Sequence, residues 1–302
     1  MHSMPRHEEK RRIGASSTMK ILRALTLIAG LGMVAPATAD DPPEWSTPVQ
    51  PFRIVGSIYY VGTKGLAAYL IVSNQGAILL DGTTAENAPL IERNIEAVGV
   101  PLHAVKRLIS DHAHHDHVGA LAQIKRDTGA EFLASAGDTW ALEHGRVRGD
   151  TNYAPRPFAP IKVDRVIRDG ETLQLGDVTL AAQLTPGHTP GCTSWSATVK
   201  EQGRPLQVLF LCSITVAGNR LVGNHTYPDI VSDYRATFRR LGTMKADIVL
   251  PSHPDLADVI ERAARRDAGE NDAFIDRQAL PSLVAEFRAA FETALAAARR
   301  DE

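Results

Sequence analysis

Short runs of apolar and β-branched residues recur along the first third of the chain, at Phe52 to Val55, Ile58 to Val61, Ala68 to Val72 and Ala77 to Leu80. Gly56-Ser57, Lys64-Gly65 and Asn74-Gln75-Gly76 separate them, a pattern that predicts an antiparallel meander. The period then changes. Leu90, Ile91, Ile95 and Val98 fall on one helical face and predict a helix from Asn87 to Val98. A strand at Val105 to Ile109, a helix from about His117 to Asp127, a strand at Phe132 to Ala134 and a helix near Asp138 to Glu143 follow. Gly145 to Pro160 has little periodicity, and a loop of that length is expected to be a functional rim or lid.

The second half repeats the theme. Strands are predicted at Val163 to Ile167, Thr172 to Leu175, Val178 to Leu184, Thr193 to Val199, Leu206 to Leu211 and Ile248 to Leu250. Helices are predicted at Ile230 to Leu241, Leu256 to Arg266 and Pro281 to Arg300. Strands followed by helices in each half, with no repeat or low-complexity linker between, imply an α/β domain. Two β-sheets would pack face to face with helices on the outside.

The start of the chain does not belong to that pattern. From Met19 the sequence runs through a basic start, a short apolar stretch from Ala24 to Val34 and an Ala37-Thr38-Ala39 ending, the form of a secretory signal peptide. That stretch is shorter than the roughly 20 residues that span a bilayer. The expectation is a leader over 1–39, with Met19 as a sufficient start, and one exported domain over 40–302 in the periplasm. The leader carries a net +4, so the remaining 263 residues carry −6 where the whole chain carries −2. A mildly acidic, mixed-sign surface argues against nucleic acid or a stable association with an anionic membrane.

Chemistry concentrates in His112-Ala113-His114-His115-Asp116-His117, directly after the apolar run Val105 to Ile109. Neutral imidazoles and an ionised carboxylate are preferred zinc ligands. One hexapeptide cannot close a four-ligand site, which directs attention to His188 in Leu184-Thr-Pro-Gly-His-Thr-Pro-Gly191 and His253 in Ile248-Val-Leu-Pro-Ser-His-Pro254. His112, His114, Asp116, His117, His188 and His253 suffice for two metals with positions left for water. His225, His144 and His103 read as rim or surface residues, and Asp81, at a strand end, as a partner that orients an imidazole or a loop amide. Cys192 and Cys212 both lie in the exported part, as a disulfide or as two buried thiols.

HAHHDH matches the HxHxDH motif of the metallo-β-lactamase superfamily, and His188 and His253 stand where that family's downstream ligands stand. The resemblance covers roughly residues 50 to 275 and implies a four-layer αβ/βα sandwich with its metals along one edge. It assigns His112, His114 and His188 to one zinc and Asp116, His117 and His253 to the other. Val208-Leu-Phe-Leu211 runs into Cys212-Ser213-Ile214-Thr215 without the metal-bridging aspartate of glyoxalase-type relatives. Ser213 and the three-imidazole set are similar to the third, serine-bearing subclass of metallo-β-lactamases. A register with Cys212 at the metal would give the thiolate subclass instead. Asp111, where a small serine is more usual, and Thr83-Thr84, in place of a glycine-rich turn, depart from the family pattern.

That resemblance implies an enzyme that hydrolyses the β-lactam amide of penicillins, cephalosporins and carbapenems with hydroxide from metal-held water, conferring resistance; a monomer is expected. No acyl-enzyme is expected. Zinc brings the pKa of bound water to about 7 and polarises the carbonyl, with His112 and His114 holding the catalytic ion and Asp116 orienting the hydroxide. Ser213 and Thr215 are expected to grip the substrate carboxylate. The alternatives are a metal-dependent hydrolase of another ester, lactone or amide, a serine acyl enzyme, and a non-catalytic zinc-binding protein. Ser17-Thr-Met-Lys20 spells SxxK but lies in the leader without its SDN and KTG partners.

Overall fold

Residues 41–152 and 154–300 are described by a computed structural model, and the leader expected over 1–39 lies outside the described residues. Strands β1 (Phe52–Val55), β2 (Ile58–Tyr60), β3 (Tyr69–Ser73) and β4 (Gly76–Leu80) form the expected antiparallel meander. Strands β5 (Val105–Ile109), β6 (Glu131–Ser135) and β7 (Arg165–Ile167) extend it in parallel to seven strands in sequence order. Parallel neighbours need crossovers. Helices α1 (Ala88–Ala97), α2 (His115–Val118), α3 (Leu121–Thr128) and α4 (Ala136–His144) lie on these connections.

The second sheet orders as β12-β11-β10-β9-β8, from β8 (Thr172–Leu175), β9 (Val178–Leu184), β10 (Thr193–Glu201), β11 (Arg204–Leu211) and β12 (Ile248–Pro251). Helix α5 (Ile230–Leu241) carries the chain from β11 to β12, which pair in parallel. Helices α6 (Val259–Asp267) and α7 (Ala279–Ala298) close the described chain. Among the described residues, no helix is long and apolar enough to cross a membrane.

Strand alternation explains the four layers. On β4, Ile78 and Leu80 face the core between the sheets, while Ala77 and Leu79 face the outer helices. On β11, Val208 and Phe210 turn inward to meet Trp195 and Tyr69, and Leu209 and Leu211 turn outward. That outer face is covered by α5 and α7, where Tyr234 and Phe238 place their rings 4.9 and 5.7 Å from Phe291. Both faces of the central strands are therefore dry, which is why they read as continuous apolar runs.

Two predicted helices break where the site is built. The stretch expected to be helical from His117 to Asp127 is divided into α2 and α3. The His117 carbonyl is taken by the Gly82 amide at 2.8 Å, so it cannot continue the helical ladder. Gly119 permits the tight pass, because a Cβ there would lie 2.4 Å from the His115 carbonyl oxygen and 2.7 Å from the Ala85 nitrogen. Likewise, the helix expected from Leu256 becomes a 3-10 turn, Pro254–Ala257, before α6, with Asp258 between them at a left-handed φ of 50°.

Candidate metal centre

Three connections at strand ends bring the six predicted ligands together, and a fourth backs them. The loop after β5 carries His112, His114, Asp116 and His117. The β9–β10 connection carries His188, and the segment after β12 carries His253. The turn after β4 contributes Asp81 and Thr83, both held at left-handed φ values of 62° and 63°. Non-glycine residues adopt that region at a cost, and such strain concentrates at functional sites.

His112, His114 and His188 place one nitrogen each within 4.8 Å of one another, and Asp116, His117 and His253 do the same with their ligand atoms. The groups adjoin, since the His112 and His117 rings are 4.2 Å apart. The Asp116 Oδ2 atom lies 3.1 Å from His117 Nε2 and 3.6 Å from His253 Nε2. Other side chains fix the imidazoles from behind. His112 Nδ1–H donates to Asp111 Oδ1 at 2.8 Å, and His188 Nδ1–H donates to the Thr215 carbonyl at 2.8 Å. The opposite edges are left facing inward. His112 Nε2 and His114 Nε2 are buried without a hydrogen-bond partner. Unsatisfied buried nitrogens are rare in proteins, and several converging on one point fit a cation.

Electrostatics agrees at three of the imidazoles, while at His117 burial is outweighed by the carboxylates of Asp116, Asp111 and Asp81, which raise it. Burial, reinforced by the neighbouring His112, lowers His188 to about 3, and burial with His117 lowers His253 to about 4. Burial also pushes His114 well below the ordinary histidine value. These rings are neutral at neutral pH and present lone pairs. Burial works to raise the Asp116 carboxyl, but His117 and its other imidazole neighbours hold it well below the carboxylate range. Behind them, Asp81 Oδ1 accepts the Asp111 amide at 2.9 Å, and Asp81 Oδ2 lies 3.5 Å from His117 Nδ1.

One buried carboxylate escaped sequence reasoning. Asp138, on the first turn of α4, accepts the Ala113 amide at 3.0 Å and the Thr189 hydroxyl at 2.8 Å on Oδ2. Its Oδ1 accepts the Gly191 amide at 2.9 Å. It therefore ties the His112–His114 strand end to the His188 loop. The approach is close: a Cβ on Gly191 would lie 2.3 Å from the Asp138 nitrogen. No ligand motif includes Asp138, and only its position in an apolar helix start could have drawn attention.

A cavity of about 320 Å³ opens over the cluster, lined by Trp45, Arg156, Thr215 and Ala217 beside His114, His188 and His253. Thr215 reaches the cavity wall. Ser213 is not among the lining residues, and its hydroxyl lies 3.0 Å from Thr215 Oγ1. Cys192 and Cys212 are joined as a disulfide with Cα atoms 6.0 Å apart. It cross-links the chain just after the His188 loop to the end of β11. His225 lines a separate cavity with Trp140 and Arg148.

A family model for the metallo-β-lactamase superfamily matches residues 62–253. The chain belongs to this superfamily. The metallo-β-lactamase fold accounts for its mixed two-sheet architecture. It resembles the solved structure of BJP-1, a subclass B3 metallo-β-lactamase of Bradyrhizobium japonicum, at 40% identity over 86% of this chain and 98% of that one, with a TM-score of 0.82. MEM-A1, a subclass B3 enzyme from a soil metagenome library, matches at 33% identity over 85% of this chain and all 100% of that one, with a TM-score of 0.81. A hydroxyacylglutathione hydrolase of Bradyrhizobium sp. (strain BTAi1 / ATCC BAA-1182) is 32% identical over 104 residues, 34% of this chain and 32% of that protein. The chain spans between about a third and a half of the length of the curated relatives it matches.

Proposed function

We propose that this metallo-β-lactamase superfamily member hydrolyses the amide of β-lactams, including penicillins, cephalosporins and carbapenems, with two zinc ions. Residues 40–302 form the single catalytic domain of an exported, periplasmic monomer that confers resistance. The observation that carries the reading is the pair of adjoining ligand groups together with a β11 end, Cys212-Ser213-Ile214-Thr215, that brings no carboxylate to them. Likeness to subclass B3 β-lactamases across most of the chain supports the same substrate class.

His112, His114 and His188 would hold one ion, and Asp116, His117 and His253 the other. Zinc in these places supplies water activated near neutral pH and polarises the scissile carbonyl. The protein does the rest by orientation. Asp111 and the Thr215 carbonyl fix which nitrogen His112 and His188 turn inward, so no tautomer change is needed on binding. Ionised Asp116 accepts a hydrogen bond from the attacking water and aims its lone pair. Thr215 Oγ1, backed by Ser213 Oγ, meets the substrate carboxylate.

No covalent intermediate is expected. A hydroxyl nucleophile needs a general base. The imidazole beside Thr215 Oγ1 is His188 at 3.4 Å, and that nitrogen's proton is already given to the Thr215 carbonyl. The second reading, hydrolysis of another ester, lactone or amide, is favoured by the hydroxyacylglutathione hydrolase relative.

The test is steady-state turnover of a penicillin, a cephalosporin, a carbapenem and a simple lactone, with and without chelator. β-Lactam hydrolysis abolished by chelator and restored by zinc is the expected result, and His188→Ala should lose both activity and one zinc equivalent. Chelator-resistant turnover, or turnover of the lactone alone, would overturn the proposal.

A further inference from the structure

Arg156 stands on the loop between α4 and β7 and is the single lysine or arginine among the described residues lining the cavity over the metal centre. Its Nη1 lies 2.7 Å from Asp41 Oδ2, in the segment that leads into Trp45. The other Asp41 oxygen, Oδ1, lies 3.4 Å from His115 Nε2. Trp45 itself sits over the cluster, with ring centroids 5.9 Å from both His115 and His253. Two stretches of chain, 115 residues apart in sequence, thus meet beside the cavity in this ion pair.

The pair is placed for exchange. Its side chains keep 35% and 20% of their surface in solvent, where ion pairs are weak and readily traded. A guanidinium offers a planar fork that a carboxylate can grip with both oxygens. The Thr215 hydroxyl belongs to a different chain segment, the loop after β11, so Arg156 provides a second anion-recognising group.

We infer that Arg156 selects substrates carrying an additional anionic group remote from the scissile amide, and that Asp41 competes with that group for the guanidinium. The inference rests on the β-lactamase reading above. It concerns affinity, because Arg156 belongs to neither ligand group.

Benzylpenicillin and its side-chain carboxylated derivative carbenicillin differ by one carboxylate and make the test. With zinc-loaded enzyme at low ionic strength, Arg156→Gln should raise KM for carbenicillin about 10-fold and leave benzylpenicillin within about two-fold, with kcat unchanged for both. Arg156→Lys should fall between, retaining the charge without the fork. Asp41→Asn should lower KM for carbenicillin, and 0.5 M salt should erase the difference between the substrates. Equal changes in KM for both substrates, or a change confined to kcat, would overturn the inference while leaving the β-lactamase reading intact. Failure of the wild-type enzyme to hydrolyse either penicillin would overturn both.

Discussion

The Asp111 carboxylate receives the Nδ1–H of His112 at 2.8 Å, and this one contact decides which edge of the ring looks into the ligand cluster. Burial would raise the Asp111 carboxyl, yet His112 and His117 keep it below the ordinary carboxylate range, so it stays an acceptor. Asp111→Asn should preserve the fold but let His112 take the wrong tautomer. Zinc affinity should fall about 10- to 100-fold, measured by competition with a chromophoric chelator. Unchanged affinity would show that the carboxylate is a bystander.

Asp138 supports the site from a second direction. Removing its carboxylate in Asp138→Ala leaves the Ala113 and Gly191 amides and the Thr189 hydroxyl without their acceptor. Orphaned buried donors cost about 1–3 kcal/mol each, so urea unfolding should lose about 3–5 kcal/mol. Asp138→Asn should recover part of this. A loss below about 1 kcal/mol would mean that water replaces the side chain at little cost.

The disulfide between Cys192 and Cys212 closes a loop with a sequence separation of 20. Cross-links of that span stabilise by about 3 kcal/mol, chiefly by restricting the unfolded chain. The double replacement Cys192→Ser with Cys212→Ser should therefore lower stability by about that amount and reduce zinc retention. Reductant should reproduce the loss in the wild-type protein and have no effect on the double variant.

Glu92 on α1 has the Asp127 carboxyl of α3 as a neighbour. Burial, then the hydrogen bond and charge of Asp127, raise Glu92 to about 7, and Glu92 Oε1 is buried without a partner. A raised carboxyl stabilises the fold while protonated, so this contribution is complete below about pH 4.5 and disappears as pH climbs through 7. Glu92→Gln should thus unfold at higher urea than wild type at pH 8, by less than about 1 kcal/mol at this partly exposed position. The advantage should vanish at pH 4.5. An advantage independent of pH would place its origin in packing.

The residues suspected from the chain alone meet in space, because zinc-ligand chemistry is written in residue type. Three imidazoles and a carboxylate in six positions, with His188 and His253 after later strands, leave few other uses for those side chains. Strand and helix positions were equally legible wherever burial is regular, as on β9 and α5, whose bounds match the periodic pattern. Misreadings fell at Gly119 and Asp258, where the backbone turns to serve another segment.

Local sequence therefore determined the superfamily, the two-sheet plan and the set of candidate metal ligands, since periodicity and ligand type are properties of a residue and its neighbours. Tertiary structure alone decided which groups hold them. Ala113 finds Asp138 from 25 residues away, and Arg156 meets Asp41 across 115. Ser213 turns its hydroxyl to Thr215 while Thr215 reaches the cavity. Hydrogen bonds of this kind depend on distances of about 3 Å. Only the packed path of the backbone sets such distances, and no spacing along the chain encodes it.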